Sequence, residues 1–337
     1  MGSVHLSRVS LIESLTEIVG YKSGLVLTKE ELVEPLRTSG YFEKILDPAG
    51  PGGGRIRSEE YENAVVLLLY KLGRTSSPDN NLFIAEMYHK YKGDPVTLDL
   101  YMEMGHLYNS SMKQAMHEAM ARPTQGRSID PTAFMTEAMR RHGRPGLDMA
   151  MEMITGVNRD LNRSAWGQLR SIDWKDEIEL ADLFKSEKLG ASHGTFLDQR
   201  FIDYLDRNFE QIGNIHWRKF EGLTGEFFAR EGYKIDMGPG RNDDGIDLRI
   251  YPATEIENAP PLIIVQCKRV KAKIDKALVK SVYADVLHER ADSGLIVTTS
   301  YLSPGAEHMR TARGYNVEAA DRMTLRQWIS RMRTALY

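Results

Sequence analysis

The sequence predicts an α + α/β protein, a helical N-terminal half followed by an α/β domain with a mixed, partly parallel sheet. Three observations predict it. Apolar residues recur at three-to-four spacing as far as residue 161. Beyond residue 216, short apolar runs alternate with helical patterns. The charge balance also changes there: residues 216–337 carry 19 Lys+Arg against 16 Asp+Glu, and the remainder carries 25 against 31.

The helical half reads as segments 10–19, 29–39, 58–72, 81–92, 96–121, 130–142 and 147–161, separated by Pro or Gly. Thr28 with Glu31 forms a capping-box pattern. The stretch 48–57 (PAGPGGGRIR) reads as a loop, because Gly and Pro disfavour regular structure. Ten of the sixteen methionines lie between Met102 and Met153. Methionine fills irregular apolar gaps, so this density predicts a helical core, with a helix–helix or oligomer interface as the sharper alternative. Segment 176–209 reads as one or two charged amphipathic helices connecting the halves. The expected division is thus a helical domain over 1–175, a connector over 176–215 and a C-terminal domain over 216–337.

In the C-terminal part, 217–230 is a helix whose Phe220, Leu223, Phe227 and Phe228 share a face, with Gly232 at its end. Strand patterns follow at 233–236, 246–251, 262–267, 294–299 and 315–319, and helices at 275–290, 304–313 and 324–334. The runs 262–265 and 295–297 lack alternation and belong at the centre of the sheet.

The candidate chemistry sits on three pieces. Asp247 opens the second strand after the turn 238–244. Gln266 and Lys268 end the third strand two residues apart, so they project to one face. Cys267 between them points into a packed layer as a small apolar residue. Pairing of these strands brings a carboxylate, an amide oxygen and an ammonium to one sheet edge. Such oxygens, with the Cys267 backbone carbonyl, suit Mg²⁺. The lysine can hold a metal-polarised water or stabilise charge at phosphorus. Glu221 on the first helix is a further carboxylate within reach. Arg269, Lys271, Lys273, Lys276 and Lys280 form a basic run beside this edge. They read as contacts to a phosphate backbone or as a solvated face.

The ordered set of Phe220-Glu221, Gly232-Tyr233, Gly245-Ile246-Asp247, Gln266-Cys267-Lys268-Arg269, Thr298-Thr299-Ser300-Tyr301-Leu302-Ser303, Asp321 and Leu325 resembles the Mrr-like branch of the PD-(D/E)xK restriction-endonuclease superfamily. Asp244 stands where that branch usually has a glycine, and reads as a turn residue or an added ligand. The resemblance implies a restriction-endonuclease-like three-layer α/β/α domain. It also implies a metal-dependent endonuclease acting on DNA, in bacterial restriction or anti-phage defence. It assigns Asp247 as metal ligand, Gln266 in the place usually held by Glu or Asp, Lys268 as the catalytic lysine and Glu221 as a carboxylate near the metal. The expected cofactor is Mg²⁺, with Mn²⁺ as substitute. The alternative is a catalytically silent nuclease fold that binds nucleic acid or serves as a regulatory scaffold.

Residues 1–215 show no nucleotide-binding or zinc motif. Target recognition, assembly into a homo-oligomer and sensing of an activating ligand or partner protein all remain open for them; acidity makes direct duplex binding the least attractive. The single cysteine excludes an internal disulfide framework. No apolar run approaches the roughly 18 residues of a membrane helix, and residues 1–17 have no apolar signal core. These features predict a cytoplasmic protein without membrane contact.

Overall fold

The computed structural model describes residues 2–121, 129–167, 169–240, 245–254, 259–312 and 314–334. The chain opens with β1 (Ser3–Ser7), α1 (Arg8–Ser23) and β2 (Leu25–Val26). Next come α2 (Lys29–Thr38), α3 (Glu43–Leu46), β3 (Gly53–Arg57) and α4 (Ser58–Lys71). The capping box at α2 is formed: the Thr28 hydroxyl accepts from Glu31 N and the Glu31 carboxylate accepts from Thr28 N.

The stretch expected to be a loop is corrected here. Its second half is β3, paired antiparallel with β1 from Ser3↔Arg57 to Ser7↔Gly53. Glycine makes this pairing possible rather than preventing it: a Cβ on Gly53 would lie 2.8 Å from the Leu6 carbonyl oxygen.

The long helices α5 (Phe83–Tyr91), α6 (Pro95–Ala121) and α7 (Thr132–Arg163) follow. The break expected between 142 and 147 survives as a kink in α7, where Gly143 is non-helical at φ 61°. These three helices enclose their own apolar cluster, including Phe83, Met87, Met104, Phe134, Met149 and Met153. Several methionines are therefore core, while Met102, Met139 and Met151 remain exposed.

The connecting segment is less helical than its charge pattern predicts. It holds β4 (Ile178–Glu179), α8 (Asp182–Lys185), α9 (Gln199–Arg207) and a 3₁₀ turn at Phe209–Gly213. Buried polar anchors account for the difference. Arg200 is fully buried and binds Asp198, Asp176 and the Gly24 carbonyl oxygen. Glu226, also buried, accepts from the backbone N–H groups of Thr195, Phe196 and Leu197. Side chains thus satisfy main-chain groups that a helix would have satisfied internally. The segment also ties back to the N-terminal part, since β4 pairs parallel with β2.

The C-terminal part begins with α10 (Trp217–Arg230), the span the sequence predicts. His216 caps it through Nδ1, which accepts from Arg218 N. Five strands follow: β5 (Lys234–Met237), β6 (Leu248–Tyr251), β7 (Ile263–Lys268), β8 (Ser293–Thr298) and β9 (Val317–Ala320). Helices α11 (Lys276–Glu289), α12 (Pro304–Ala312) and α13 (Arg322–Met332) are interspersed among them. The strands lie in sequence order; β5, β6 and β7 are antiparallel and β7, β8 and β9 parallel, so the sheet is mixed. The two unalternated apolar runs form β7, at the centre, and β8 beside it.

Alternation along the strands separates their apolar residues. Leu248, Ile250, Val265 and Val297 pack in one cluster with Phe220 and Leu223 of α10 and Leu325 of α13. Ile296 and Val317 pack with Val279 and Val282 of α11. The first of these clusters also contains Leu11, Leu68 and Leu205, so one continuous core runs from α1 into the sheet.

Candidate active site

The site forms where β6 begins and β7 ends. The register pairs Leu248 with Val265, which sets Asp247 beside the end of β7. Asp247 N donates to the Val265 carbonyl oxygen at 2.9 Å, and Asp247 Oδ2 accepts from Cys267 N at 2.6 Å. The carboxylate is thereby fixed against the strand bearing Gln266 and Lys268. It is buried, with 8% exposure.

Glu221 reaches the same place from α10 and forms a hydrogen bond with Asp247. Desolvation raises its pKa from 4.5 to about 8; Asp247 adds to the rise, and the ion pair with Arg218 only partly offsets it. Burial and the neighbouring carboxylate together favour the protonated form of Glu221.

Gln266 is 7% exposed, and among the described residues its Oε1 has no hydrogen-bond partner. A buried acceptor of this kind costs about 1–3 kcal/mol if nothing binds it. Its amide is held in a tight space: a Cβ on Gly245, which has φ 88°, would lie 2.9 Å from Gln266 Nε2. Glycine is therefore required there twice over, for backbone conformation and for room.

Lys268 is half-buried at the end of β7, on the Gln266 side of the strand. The Thr298-Thr299-Ser300 run explains how the following segment is held. Thr298 Oγ1 donates to the Lys268 carbonyl oxygen, Thr299 Oγ1 to that of Val270 and Ser300 Oγ to that of Lys271. Cys267 points away, with Sγ 3.6 Å from Thr224 Oγ1, and burial pushes its thiol pKa well up. It packs against the core as a small apolar residue.

Arg269, Lys271, Lys273, Lys276 and Lys280 are all exposed, and Arg269 Nη1 donates to the Gly213 carbonyl oxygen. The structure thus joins Glu221, Asp247 and the Cys267 backbone by hydrogen bonds, sets Gln266 and Lys268 on the adjoining strand, and leaves the basic run on the surface beyond. Asp244 lies outside the described residues.

Sequence reasoning missed Arg218. Its Nη1 lies 2.6 Å from Glu221 Oε2, and its Nη2 donates to the Gly238 carbonyl oxygen at 2.8 Å. It ties α10 to the turn before Asp247. The i,i+3 spacing to Glu221 was the available signal.

Among the described residues, no group of three or more His, Cys, Asp or Glu side chains is placed to hold a metal ion. The edge offers two carboxylates, and its third side-chain oxygen is an amide.

Residues 212–329 match the family model described as restriction endonuclease (Mrr_cat). The C-terminal part is thus similar to restriction endonucleases, consistent with the Mrr-like resemblance of its motifs, and the match supports a nuclease. Among curated proteins, an uncharacterized protein y4cE of Sinorhizobium fredii (strain NBRC 101917 / NGR234) is 22% identical over 113 residues. That alignment covers 33% of this chain and 29% of the relative, so the chain spans less than a third of the relative's length. Among the described residues, no helix is long and apolar enough to cross a membrane.

Proposed function

We propose that the protein is a Mg²⁺-dependent DNA endonuclease, with Mn²⁺ as substitute. The observation that carries this reading is the orphaned, buried Gln266 Oε1 on β7, the strand whose backbone holds Asp247. A hard divalent cation would give that oxygen its partner and relieve the clash of two carboxylates. Asp247, Gln266 Oε1 and the Cys267 carbonyl oxygen would hold the ion, with Glu221 close by. When bound, it would supply Lewis-acid polarisation of water and of the scissile phosphate. Lys268 places a positive charge at the same edge, where it stabilises negative charge developing at phosphorus and orients the attacking water. Arg218 fixes the rotamer of Glu221. The exposed run from Arg269 to Lys280 attracts the DNA backbone without reading sequence.

The division of sheet residues between an α10/α13 cluster and an α11 cluster supports a three-layer α/β/α domain over 216–337. The helical part over 1–175, joined through 176–215, is assigned to assembly or regulation in bacterial restriction or anti-phage defence, inside the cytoplasm. A homo-oligomer would supply the two active sites that a duplex break commonly requires.

Purified Asp247→Ala and Lys268→Ala variants test the assignment against the silent-fold alternative. Each should lose cleavage by about 100-fold or more while still retarding duplex DNA in a gel. Undiminished cleavage by both variants would reject these roles. If the unaltered protein retards DNA yet never cuts it with any divalent metal, the silent-fold reading takes over.

A further inference from the structure

The chain contains a second centre of buried charge, of opposite sign, far along the sequence from the first. Lys22 at the end of α1, Arg74 and Thr75 after α4, Arg159 and Arg163 in the last turns of α7, and Ser171 line one cleft. It encloses a cavity of about 30 Å³. One water needs roughly 10–15 Å³ by the same measure, so there is room for two or three water-sized groups, such as the outer oxygens of one phosphoryl group, but not for a duplex.

Lys22 is 3% exposed and has no carboxylate on it; its Nζ donates to the carbonyl oxygens of Asn162 at 2.9 Å and Leu169 at 2.7 Å. Arg74 pairs with Asp203 at 2.6 Å and donates to Ser171 Oγ at 3.2 Å. Arg163 pairs with Asp160 and donates to the carbonyl oxygens of Asp79 and Asn81. Arg159 pairs with Glu86 and Asp160. Four cations thus face three carboxylates, Asp203, Asp160 and Glu86, leaving one positive charge over. The Nε–H groups of Arg74 and Arg163 are buried and have no acceptor among the described residues.

A folded protein rarely buries unpaired charge together with unmet donors, because each carries a desolvation cost that a partner would remove. The missing complement is an anion with several acceptor oxygens, and guanidinium groups match the geometry of phosphate. We propose that this cleft binds the phosphoryl group of a small molecule. The site is assembled from α1, the segment after α4, α7 and the segment holding Ser171. Arg74 also links it to Asp203, whose Oδ1 accepts from Thr334 N just beyond α13. A ligand here would therefore brace the helical part against the end of the C-terminal part. The inference stands apart from the nuclease reading, and its test reads binding alone.

The test is thermal unfolding of the full chain in phosphate-free buffer, titrated at constant ionic strength with inorganic phosphate or with a nucleoside monophosphate. A ligand that binds only the folded state raises the midpoint in a saturable way. Saturation is expected in at least one arm, and the lower half-saturating concentration identifies free phosphate or a phosphorylated metabolite as the source. Ser171→Asp places a carboxylate at the exposed side of the cleft and supplies the missing charge internally. It should fold, and it should raise the half-saturating concentration at least about tenfold. Arg159→Gln removes a cation and should shift it the same way. Absence of saturation in both arms, or unchanged half-saturation in Ser171→Asp, would each overturn the proposal.

Discussion

Glu221 and Lys22 arrive at the same place from opposite directions. Burial raises the glutamate from 4.5 to about 8, and burial lowers the lysine from 10.5 to about 8. One sits at a sheet edge with a second carboxylate, the other in a cleft with a surplus cation. Desolvation penalises charge of either sign, so burial weakens the charged form of both groups. Arg200 shows the finished case. Burial lowers its pKa too, but Asp198 and Asp176 outweigh that and hold it above the ordinary value. Arg200, fully paired, serves the fold; the two less completely compensated groups lie at the two sites proposed to take a ligand.

The largest effect should separate these two kinds of charge. Arg200→Met leaves Asp198 buried without its cation and should cost about 3–5 kcal/mol in denaturant unfolding. Lys22→Met, in phosphate-free buffer at neutral pH, should cost far less, because no carboxylate loses its partner. Equal losses for the two variants would break the comparison.

Next in size is a pair of opposite pH slopes. Folded Glu221 binds its proton up to about pH 8 and the unfolded chain only to about 4.5. Its contribution to stability in metal-free buffer therefore falls as pH rises between those values. Folded Lys22 releases its proton near pH 8, whereas the unfolded chain keeps it to about 10.5, so its contribution rises with pH over that window. Urea unfolding across pH, compared with Glu221→Gln and Lys22→Met, should remove each slope separately. Added Mg²⁺ should flatten only the first. A Glu221→Gln protein that keeps the slope would refute the assignment.

The smallest effect concerns the basic run. Lys276→Ala and Lys280→Ala should each lower the slope of log affinity against log salt for duplex DNA by about 1, leaving sequence preference untouched. Slopes identical to the unaltered protein would make that face merely solvated.

Much of the C-terminal architecture was legible because its signals are local. The Phe220, Leu223, Phe227 and Phe228 spacing marks α10, and the unalternated 262–265 run marks a central strand. The i, i+2 relation of Gln266 and Lys268 follows from strand geometry alone. The β3 strand was not legible, because glycine propensity argues against it and only the partner strand β1 forms it. The basic cleft was equally hidden. Residues 22, 74, 159, 163 and 171 carry no shared motif, and only the packing of α1, α4 and α7 assembles them. Arg218 lay between these cases, visible as a spacing but meaningless until Gly238 approached it.

The most direct measurement is plasmid cleavage by the full chain in Mg²⁺, in Mn²⁺ and in EDTA, beside Gln266→Ala. Nicked or linear DNA with either metal, none in EDTA and much slower conversion by Gln266→Ala is the result expected if the orphaned amide oxygen helps hold the ion. Cleavage that continues in EDTA, or that proceeds at full speed in Gln266→Ala, would contradict it.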